Sequence, residues 1–404
     1  PIFVSWEREH LNAPAADAML AYWKDQMAGT PSGIDLPTDR PRPALQTFNG
    51  GTHGFQLDEI LSESIQVFAR EHQVTVFMAL LSAYEILLHR YCNQDDLIVG
   101  VPLAGRTQQD LQKVVGYFIN PVPLRADFTD DPTISAFLSM TRQRVNGALE
   151  NQQYPLAKLV DKLRVPRDPG RSPLFQVSFS MERIPGVDEQ GIAVFLIGQG
   201  GHTFHIGDLS METVDLTTRQ AQFEITLVVE EAGGNLYGCW QYNRDLFDAA
   251  TIDRLSGLFE QVVRQMIASP ESRVSEIALL DAAGADLVLS AWNQTTKPVS
   301  GDLLHEAFAK SAARHGDRTA VSCGDRELSY AEVDRLSNGV AEALIAAGVL
   351  PRGLVGVAMG RGVEMVAALL GVLKAGATYV PLDPEFPAQR LQLMLQDAVP
   401  AVIL

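Results

Sequence analysis

The chain has 404 residues, 46% hydrophobic and 20% charged, with 32 basic against 49 acidic side chains and a formal net charge of −17. That length predicts two or three domains, and the balance is that of a globular chain rather than a disordered one. So acidic a chain lacks the basic footprint that nucleic acid or an anionic membrane surface requires, while small molecules and a mobile protein partner stay open.

Residues 1–30 read as helical, with Trp6, Leu11, Met19, Tyr22 and Trp23 among charged neighbours. Residues 31–54, rich in Pro, Gly and small polar residues, mark an ordered linker. Ile60, Leu61, Ile65 and Phe68 fall at helical spacing, and Val76–Arg90 gives a second, more apolar helix ending in His89-Arg90. Leu97–Val101 reads as a buried strand. Val114–Arg125 has strand character, but Pro121 and Pro123 consign its second half to an edge or a bend. Thr133–Glu150 is a helix, Phe175–Phe179 a strand, and Phe223–Glu230 an alternating strand with Phe223, Ile225 and Leu227 on one face. Tyr237–Tyr242 should pair with it across Gly233-Gly234. Asp248 can cap an amphipathic helix that reaches Ser269.

The pattern changes after Leu280. Asp281–Ser300 reads as a polar connector, and beyond it helices and strands alternate. Helix Leu303–Arg314 leads to a hairpin of Ala320–Ser322 and Glu327–Ser329, then to helix Tyr330–Ala347. Strand Val355–Met359, helix Val363–Leu373, strand Thr378–Pro381, helix Gln389–Gln396 and strand Ala401–Leu404 follow. Such alternation predicts a parallel α/β layer. The domains so read are 1–280 and 301–404, joined by 281–300.

Cys92, Cys239 and Cys323 lie far apart, which gives neither a disulfide framework nor zinc spacing, so a reducing cytoplasm is the expected location. Met365–Leu373, the longest apolar stretch near the C-terminus, is too short for a ~30 Å bilayer core. No signal peptide is read and residue 1 is Pro, so the chain is expected to be an excerpt of something longer. GKS, GKT, GxSxG and HExxH are missing. Gly356, Gly360 and Gly362 suggest a loose phosphate-binding turn, but their spacing is not GxGxxG and a plain tight βα turn is the expectation. His202 and His205 lack a carboxylate or thiol companion, so no metal is expected there. No two histidines are adjacent.

Arg167–Phe175 (RDPGRSPLF) concentrates charge and backbone breakers ahead of a strand. It resembles the RDxSRNPL motif of the condensation domains of nonribosomal peptide synthetases. Gly116–Arg125 (GYFINPVPLR) resembles that family's GxFVNTxxxR motif. Asn151–Leu156 (NQQYPL) resembles its HQDYPF motif, departing at Asn151 and Leu156, and Phe3–Leu11 (FVSWEREHL) is similar to the tail of YxDYAxWQREWL without the tyrosines. An independent resemblance follows: Leu328–Val333 (LSYAEV) and Leu373–Asp383 (LKAGATYVPLD) are similar to the adenylation-domain motifs LTYxEL and LKAGxAYVPLD. Leu279–Thr295, with Trp292-Asn293-Gln294, looks like the usual junction. Together the resemblances cover nearly the whole chain.

The resemblance implies an α/β fold: a chloramphenicol-acetyltransferase-like condensation lobe, a mixed sheet with flanking helices, over 1–280, then an incomplete α/β adenylation subdomain over 301–404. In such a synthetase the amine of one carrier-tethered substrate attacks the thioester carbonyl of another, giving an amide and a free thiol. The adenylation half activates an amino acid with ATP. Phosphopantetheine on partner carrier domains, together with ATP and Mg for a complete adenylation domain, are the implied cofactors, and ATP is not expected to bind this chain. Implied partners are carrier domains and the upstream and downstream synthetase domains, with no nucleic acid and no membrane. The family's HHxxxDG and TSGTTGxPKG motifs are absent, so no residue here is expected to be catalytic.

Arg106, Gly116, Asn120, Arg167, Asp168 and Arg171 are the expected substrate-tunnel or structural residues. The resemblance pairs Arg106 with the aspartate of HHxxxDG. Lacking that aspartate, Arg106 should be solvated or should find another acid. A strap between lobes is expected near Gln220–Leu227. Met181-Glu182-Arg183 stands where many members have Leu-Gln-Asn, so donor class and subtype stay open, although an adenylation domain directly behind argues against an epimerising relative. The amino acid is unreadable. Two other readings have different chemistry: a free-standing acyltransferase of the chloramphenicol acetyltransferase type, against which the adenylation motifs speak, and a non-catalytic scaffold that docks carriers.

Overall fold

A helix without a polar face has to be buried on all sides, and Val76–Cys92 is such a helix: every residue from Met78 to Leu88 is inaccessible. The computed structural model describes residues 2–404 except 32, 108–110, 112–113, 183–202, 207–208, 213–219, 233 and 299–300. The chain divides into two units, Pro1–Asn293 and Gln294–Leu404. In chain order the first holds α1 (Ile2–Leu11), α2 (Pro14–Gln26), β1 (Gly50–Gln56), α3 (Glu59–Glu71), α4 (Val76–Cys92), β2 (Asp96–Leu103) and β3 (Asn120–Asp127). Then come α5 (Ile134–Glu150), α6 (Leu156–Leu163), β4 (Val177–Glu182), the small hairpin β5 (Thr203–Ile206) and β6 (Leu209–Glu212), β7 (Ile225–Ala232), β8 (Asn235–Asn243) and α7 (Ala249–Ala268).

Among the described residues a six-stranded mixed sheet runs β1-β8-β7-β4-β2-β3. β4 is parallel to both neighbours, and the remaining pairs are antiparallel. β3 is an edge strand, the place where Pro121 and Pro123 interrupt no ladder on the outer side. The opposite edge, β1, arises from the stretch that reads as a linker. Its glycines hide the strand pattern, yet they are demanded by packing: a Cβ on Gly51 would lie 2.7 Å from the Tyr242 ring, and one on Gly50 would lie 2.4 Å from the Gln220 backbone. α4 packs against α3, α5 and α7. Tyr84 faces Trp240 of β8 at 5.9 Å between ring centroids, and Trp240 meets Phe259 edge-on at 6.1 Å.

One charge sits inside this apolar layer. Glu85 of α4 is fully buried and meets Arg144 of α5, Oε2 to Nη2 at 3.0 Å. Arg144 also donates to Thr141 Oγ1 at 2.6 Å and to the carbonyl of Arg125 on β3. Burial pushes the Glu85 carboxyl above its usual range, while Arg144 and Thr141 pull it back. Helix starts follow their caps: Asp58, Thr75 and Thr133 accept from Leu61, Met78 and Ala136 N–H groups. The cap expected from Asp248 is different. Its carboxylate pairs with Arg40, and Asp39 serves the helix instead, accepting from Asp248 N–H at 2.7 Å and Thr251 Oγ1 at 2.9 Å.

The stretch after Leu280 contains a short helix, α8 (Ala282–Asp286), and a π-helical turn, Leu287–Ala291. The second unit holds α9 (Leu304–His315), the hairpin β9 (Thr319–Cys323) and β10 (Arg326–Ser329), and α10 (Tyr330–Ala346). β11 (Leu354–Val357), α11 (Val363–Lys374), β12 (Thr378–Pro381), α12 (Ala388–Ala398) and β13 (Val402–Ile403) complete it, with a parallel sheet in the order β12-β11-β13. The two motifs of this unit meet in its structure. Ser329 and Glu332 form a capping box at the head of α10. Lys374 Nζ donates back to that helix, to Asp334 Oδ1 at 2.7 Å, Ser337 Oγ at 2.8 Å and Asn338 Oδ1 at 2.7 Å.

Removing one member of the Glu85–Arg144 pair strands the other in the core, so Arg144→Met should cost about 3–5 kcal/mol in urea unfolding of the first unit. The double variant Glu85→Leu/Arg144→Met should recover most of that loss. A single variant as stable as the parent would show that the pair is not holding α4 to α5.

Candidate functional site

Asn120 opens β3, and its side chain is fully used. Nδ2 donates to the carbonyls of Gln152 and Tyr154, both at 2.9 Å, and Oδ1 accepts from Leu156 N–H at 3.0 Å. The GYFINPVPLR strand thereby grips the backbone of the NQQYPL turn between α5 and α6, which is why an amide, donor and acceptor at once, suits the position. Arg125, the last residue of the same motif, makes a bidentate pair with Asp96 of β2 at 2.9 Å on both arms and donates to Ala28 O at 3.0 Å.

Among the described residues Arg106 is held by carbonyls. Its guanidinium donates to the carbonyls of Leu111, Val114 at 2.7 Å and Gly116 at 3.3 Å, and lies 4.3 Å from the centroid of the Phe118 ring. Partly exposed, it is satisfied among the described residues by backbone carbonyls and a ring face. Gly116 contributes its carbonyl to this staple and is itself exposed. Beside the staple, Val115 and Tyr117 stand in solvent at 99% and 78% exposure.

RDPGRSPLF is a loop fastened to the extended segment 33–46. Asp168 Oδ1 accepts from Gly170 N–H at 2.8 Å and shapes the turn. Arg171 donates to Ile34 O at 3.3 Å and stands 3.8 Å from Asp35 Oδ1. Ser172 Oγ accepts from Gln46 at 3.0 Å, and Gln176, fully buried, accepts from Ile34 N–H at 2.9 Å. Among the described residues Arg167 pairs with Asp161, both in solvent, a contact that adds little stability. The loop ends in a tight turn at Leu174, buried with φ of 72°, where Phe175 N–H reaches Pro173 O at 2.9 Å. That left-handed backbone is costly for a leucine. It delivers the Phe175 ring against Gly100 of β2, where a Cβ would come within 2.1 Å of Phe175 Cε2.

These pieces line two clefts that share Leu156 and Ala157 at the start of α6. One, of about 400 Å³, lies among Phe3, Trp6, Asn120, Gln152, Gln153 and Gln222. The other, of about 720 Å³, lies between α6 and Arg167–Pro173. Asn120, Arg167, Asp168 and Arg171 thus border the same helix, while Arg106 and Gly116 belong to the staple beside it. The walls offer aromatic faces and side-chain amides. Among the described residues no cluster of His, Cys, Asp or Glu is built to hold a metal. Burial pushes the Cys92 thiol up to about 12 and Cys239 to about 11, so neither is a ready nucleophile. The arrangement can bind and orient a ligand.

Three contributors escape a reading of the sequence. α6 is too short to stand out as a helix. The buried pair of Arg42 with Glu224, whose second arm spans 3.0 Å, joins 40–47 to the start of β7, and burial holds the Glu224 carboxyl above its usual range. Gln176 sits in a stretch that reads simply as strand. The strap expected at Gln220–Leu227 is also corrected: Ile225–Leu227 lie inside the sheet, paired with β4 on one side and β8 on the other. Gln220 instead bridges Asn49, and Ala221 N–H reaches Phe48 O. Met181 lies on β4, whereas Arg183 and His202 lie outside the described residues, as does the side chain of His205. At Gly360–Gly362 a cleft of about 480 Å³ opens, but Glu364 occupies the first turn of α11, paired with Arg326, and a backbone N–H together with Arg326 holds its carboxyl below the usual range. A phosphate there would meet that carboxylate along with Arg326 and Arg361, which line the same cleft.

The condensation-domain family profile matches residues 2–289, and that of AMP-binding enzymes matches 308–404. The chain is 33% identical over 397 residues to tyrocidine synthase 2 of Brevibacillus parabrevis, covering 98% of this chain and 11% of that one. It is 32% identical over 403 residues to gramicidin S synthase 2 of Brevibacillus brevis, covering 100% of this chain and 9% of that one. The crystal structure of a four-domain nonribosomal peptide synthetase bound to AMP and glycine aligns with a TM-score of 0.79 and 29% identity, over 96% of this chain and 29% of that one. The chain therefore spans only a small part of the length of the curated relatives it matches.

Asn120→Ala should destabilise the first unit by about 2–3 kcal/mol, at roughly 1 kcal/mol for each lost hydrogen bond. Asn120→Asp should not rescue it, because a carboxylate would face two carbonyls. Hydrogen exchange at Leu156 N–H is the local readout, and unchanged protection in the alanine variant would remove Asn120 as the clamp. Arg106→Ala should speed exchange across 114–118 while leaving the sheet amides as they are. Unaltered exchange in that loop would contradict the staple.

Proposed function

The chain belongs to the condensation-domain family, and we propose that it forms the second lobe of a condensation domain and the opening of an adenylation domain within a nonribosomal peptide synthetase. The observation that carries this reading is the convergence at α6. Asn120 of one motif clamps the backbone of a second, and the loop of a third walls the other side of the same helix. Nothing about that convergence requires a reacting group on this chain. It suits a wall that positions an extended substrate, with Trp6 and Leu156 as apolar surface and Gln152, Gln153 and Gln222 as amide partners.

In the whole synthetase the amine nitrogen of an acceptor attacks the thioester carbonyl carbon of a donor. The carbon–sulfur bond breaks, and the proton given up by the amine ends on the departing carrier sulfur, so a free thiol leaves. Both substrates ride on phosphopantetheine arms of carrier domains, the partners of this chain along with its neighbouring synthetase domains. Arg106, Gly116 and Asn120 fix the backbone along the cleft, while Arg167, Asp168 and Arg171 shape its far wall. ATP and Mg belong to a complete adenylation domain. At the glycine-rich start of α11, Glu364 is paired with Arg326, and we assign no nucleotide site there. We place the domain boundaries at 1–280 and 301–404 with 281–300 between them, and the protein in the cytoplasm, where its three free cysteines are stable. No helix among the described residues is long and apolar enough to cross a membrane.

Given carrier-loaded donor and acceptor, the 404-residue chain should form no amide above background, and it should not exchange pyrophosphate into ATP in an amino-acid-dependent way. A positioned general base is worth ~10²–10⁴-fold, and the sequence holds no adjacent histidines. Condensation by the chain alone, within about tenfold of an intact module, would refute the assignment of a non-reacting lobe.

A further inference from the structure

Gln176 does not line the larger α6 cleft, yet it holds that cleft's far wall. A buried amide needs partners for both its oxygen and its nitrogen. Gln176 is 1% exposed: Oε1 accepts from Ile34 N–H at 2.9 Å, and Nε2 donates to Ser172 O at 2.8 Å. Ile34 O in turn accepts from Arg171 Nη1 at 3.3 Å, and Arg171 directly precedes Ser172. These four residues close a ring, and Arg171 is the member that reaches the cleft.

Two parts of the ring are fixed without the loop. Gln94 holds residues 33–35, donating to Gly33 O and accepting from Asp35 N–H, both at 3.1 Å. Glu224 N–H holds the Gln176 backbone, donating to its carbonyl at 2.9 Å. The loop has further ties to Gln46, through Pro169 O and Ser172 Oγ. Loss of the Gln176 amide therefore leaves frame and loop standing and frees the corner at Arg171 and Ser172. Arg171 stands 3.8 Å from Asp35 Oδ1, beyond hydrogen-bond reach, which leaves guanidinium N–H groups for an acceptor in the cleft.

We propose that Gln176 is a positioning residue that aims the Arg171 guanidinium into the α6 cleft, toward a hydrogen-bond-accepting group of the bound substrate. The inference rests on the reading of that cleft as a substrate wall.

In the 404-residue chain, Gln176→Met should lower the exchange protection of Ile34 N–H and leave that of Asp35 N–H. The nitrogen NMR signals of the Arg171 Nη atoms, held apart by the bond to Ile34 O, should average. In an intact module the same variant should raise KM for a carrier-loaded substrate about tenfold while kcat stays within about threefold, the pattern of lost ground-state binding. Ala157→Trp, which fills the cleft from α6, tests the reading of the cleft and should raise the same KM. If Gln176→Met does not fold, Gly33→Ala replaces it, because the added Cβ would lie 2.7 Å from Gln176 Oε1 and push the amide aside. Unchanged Arg171 signals, an unchanged KM beside a raised one in Ala157→Trp, or a fall in kcat alone would each overturn the positioning role and leave the cleft reading standing. If Ala157→Trp also leaves KM unchanged, the cleft reading falls and this inference with it.

Discussion

A carboxylate inside an apolar helix must be neutralised where it lies, and the order of the candidate site descends from how that is done at Glu85. Arg144 reaches it from α5 and in the same stroke bonds the Arg125 carbonyl on β3. α4, α5 and β3 are thereby fixed in register with one another. β3 begins at Asn120, and α5 ends at the turn that Asn120 grips. Both jaws of the clamp are mounted on elements that the buried pair joins. A methyl-lined core would pack as well, but it would tolerate sliding.

The motifs that mark the chain as a family member are, in this structure, largely structural devices. Arg125 ties two strands, Asp168 makes a turn, Ser329 and Glu332 start a helix, and Lys374 holds that helix from a neighbouring one. Such residues make directional contacts with backbone or with one another, and few substitutes satisfy the same geometry. That is why they stand out as motifs. It also explains how a chain can resemble a synthetase so closely through residues whose visible work is structural.

How much is legible in the sequence follows the same division. α4, the proline-bearing edge strand, the β7–β8 hairpin and the alternating second unit are all readable, because period and breakers act locally. β1 is not, since its glycines serve neighbours far away in sequence, Tyr242 and Gln220. The partners of Arg106 are hidden for a related reason. A guanidinium suggests an acid, and only the folded loop reveals carbonyls converging on it. α6 is short and follows Pro155, so its pattern is too brief to separate from loop. Asp39 tethering the start of α7 across more than two hundred positions is invisible to any window of sequence.

The Leu174 turn and Gly100 carry a consequence for how this fold can change over generations. Phe175 fills the space above Gly100, and the left-handed turn before it exists to put the ring there. A side chain at position 100 would be lethal to the packing while Phe175 stays. A smaller residue at 175 would leave a void, and the turn at 174 would keep its strain with nothing to offset it. The path between sequences is therefore ordered: position 175 must shrink first, and position 100 can grow only afterwards. Neighbouring lineages should hold the two sites in step, as a lock whose second tumbler cannot move until the first has.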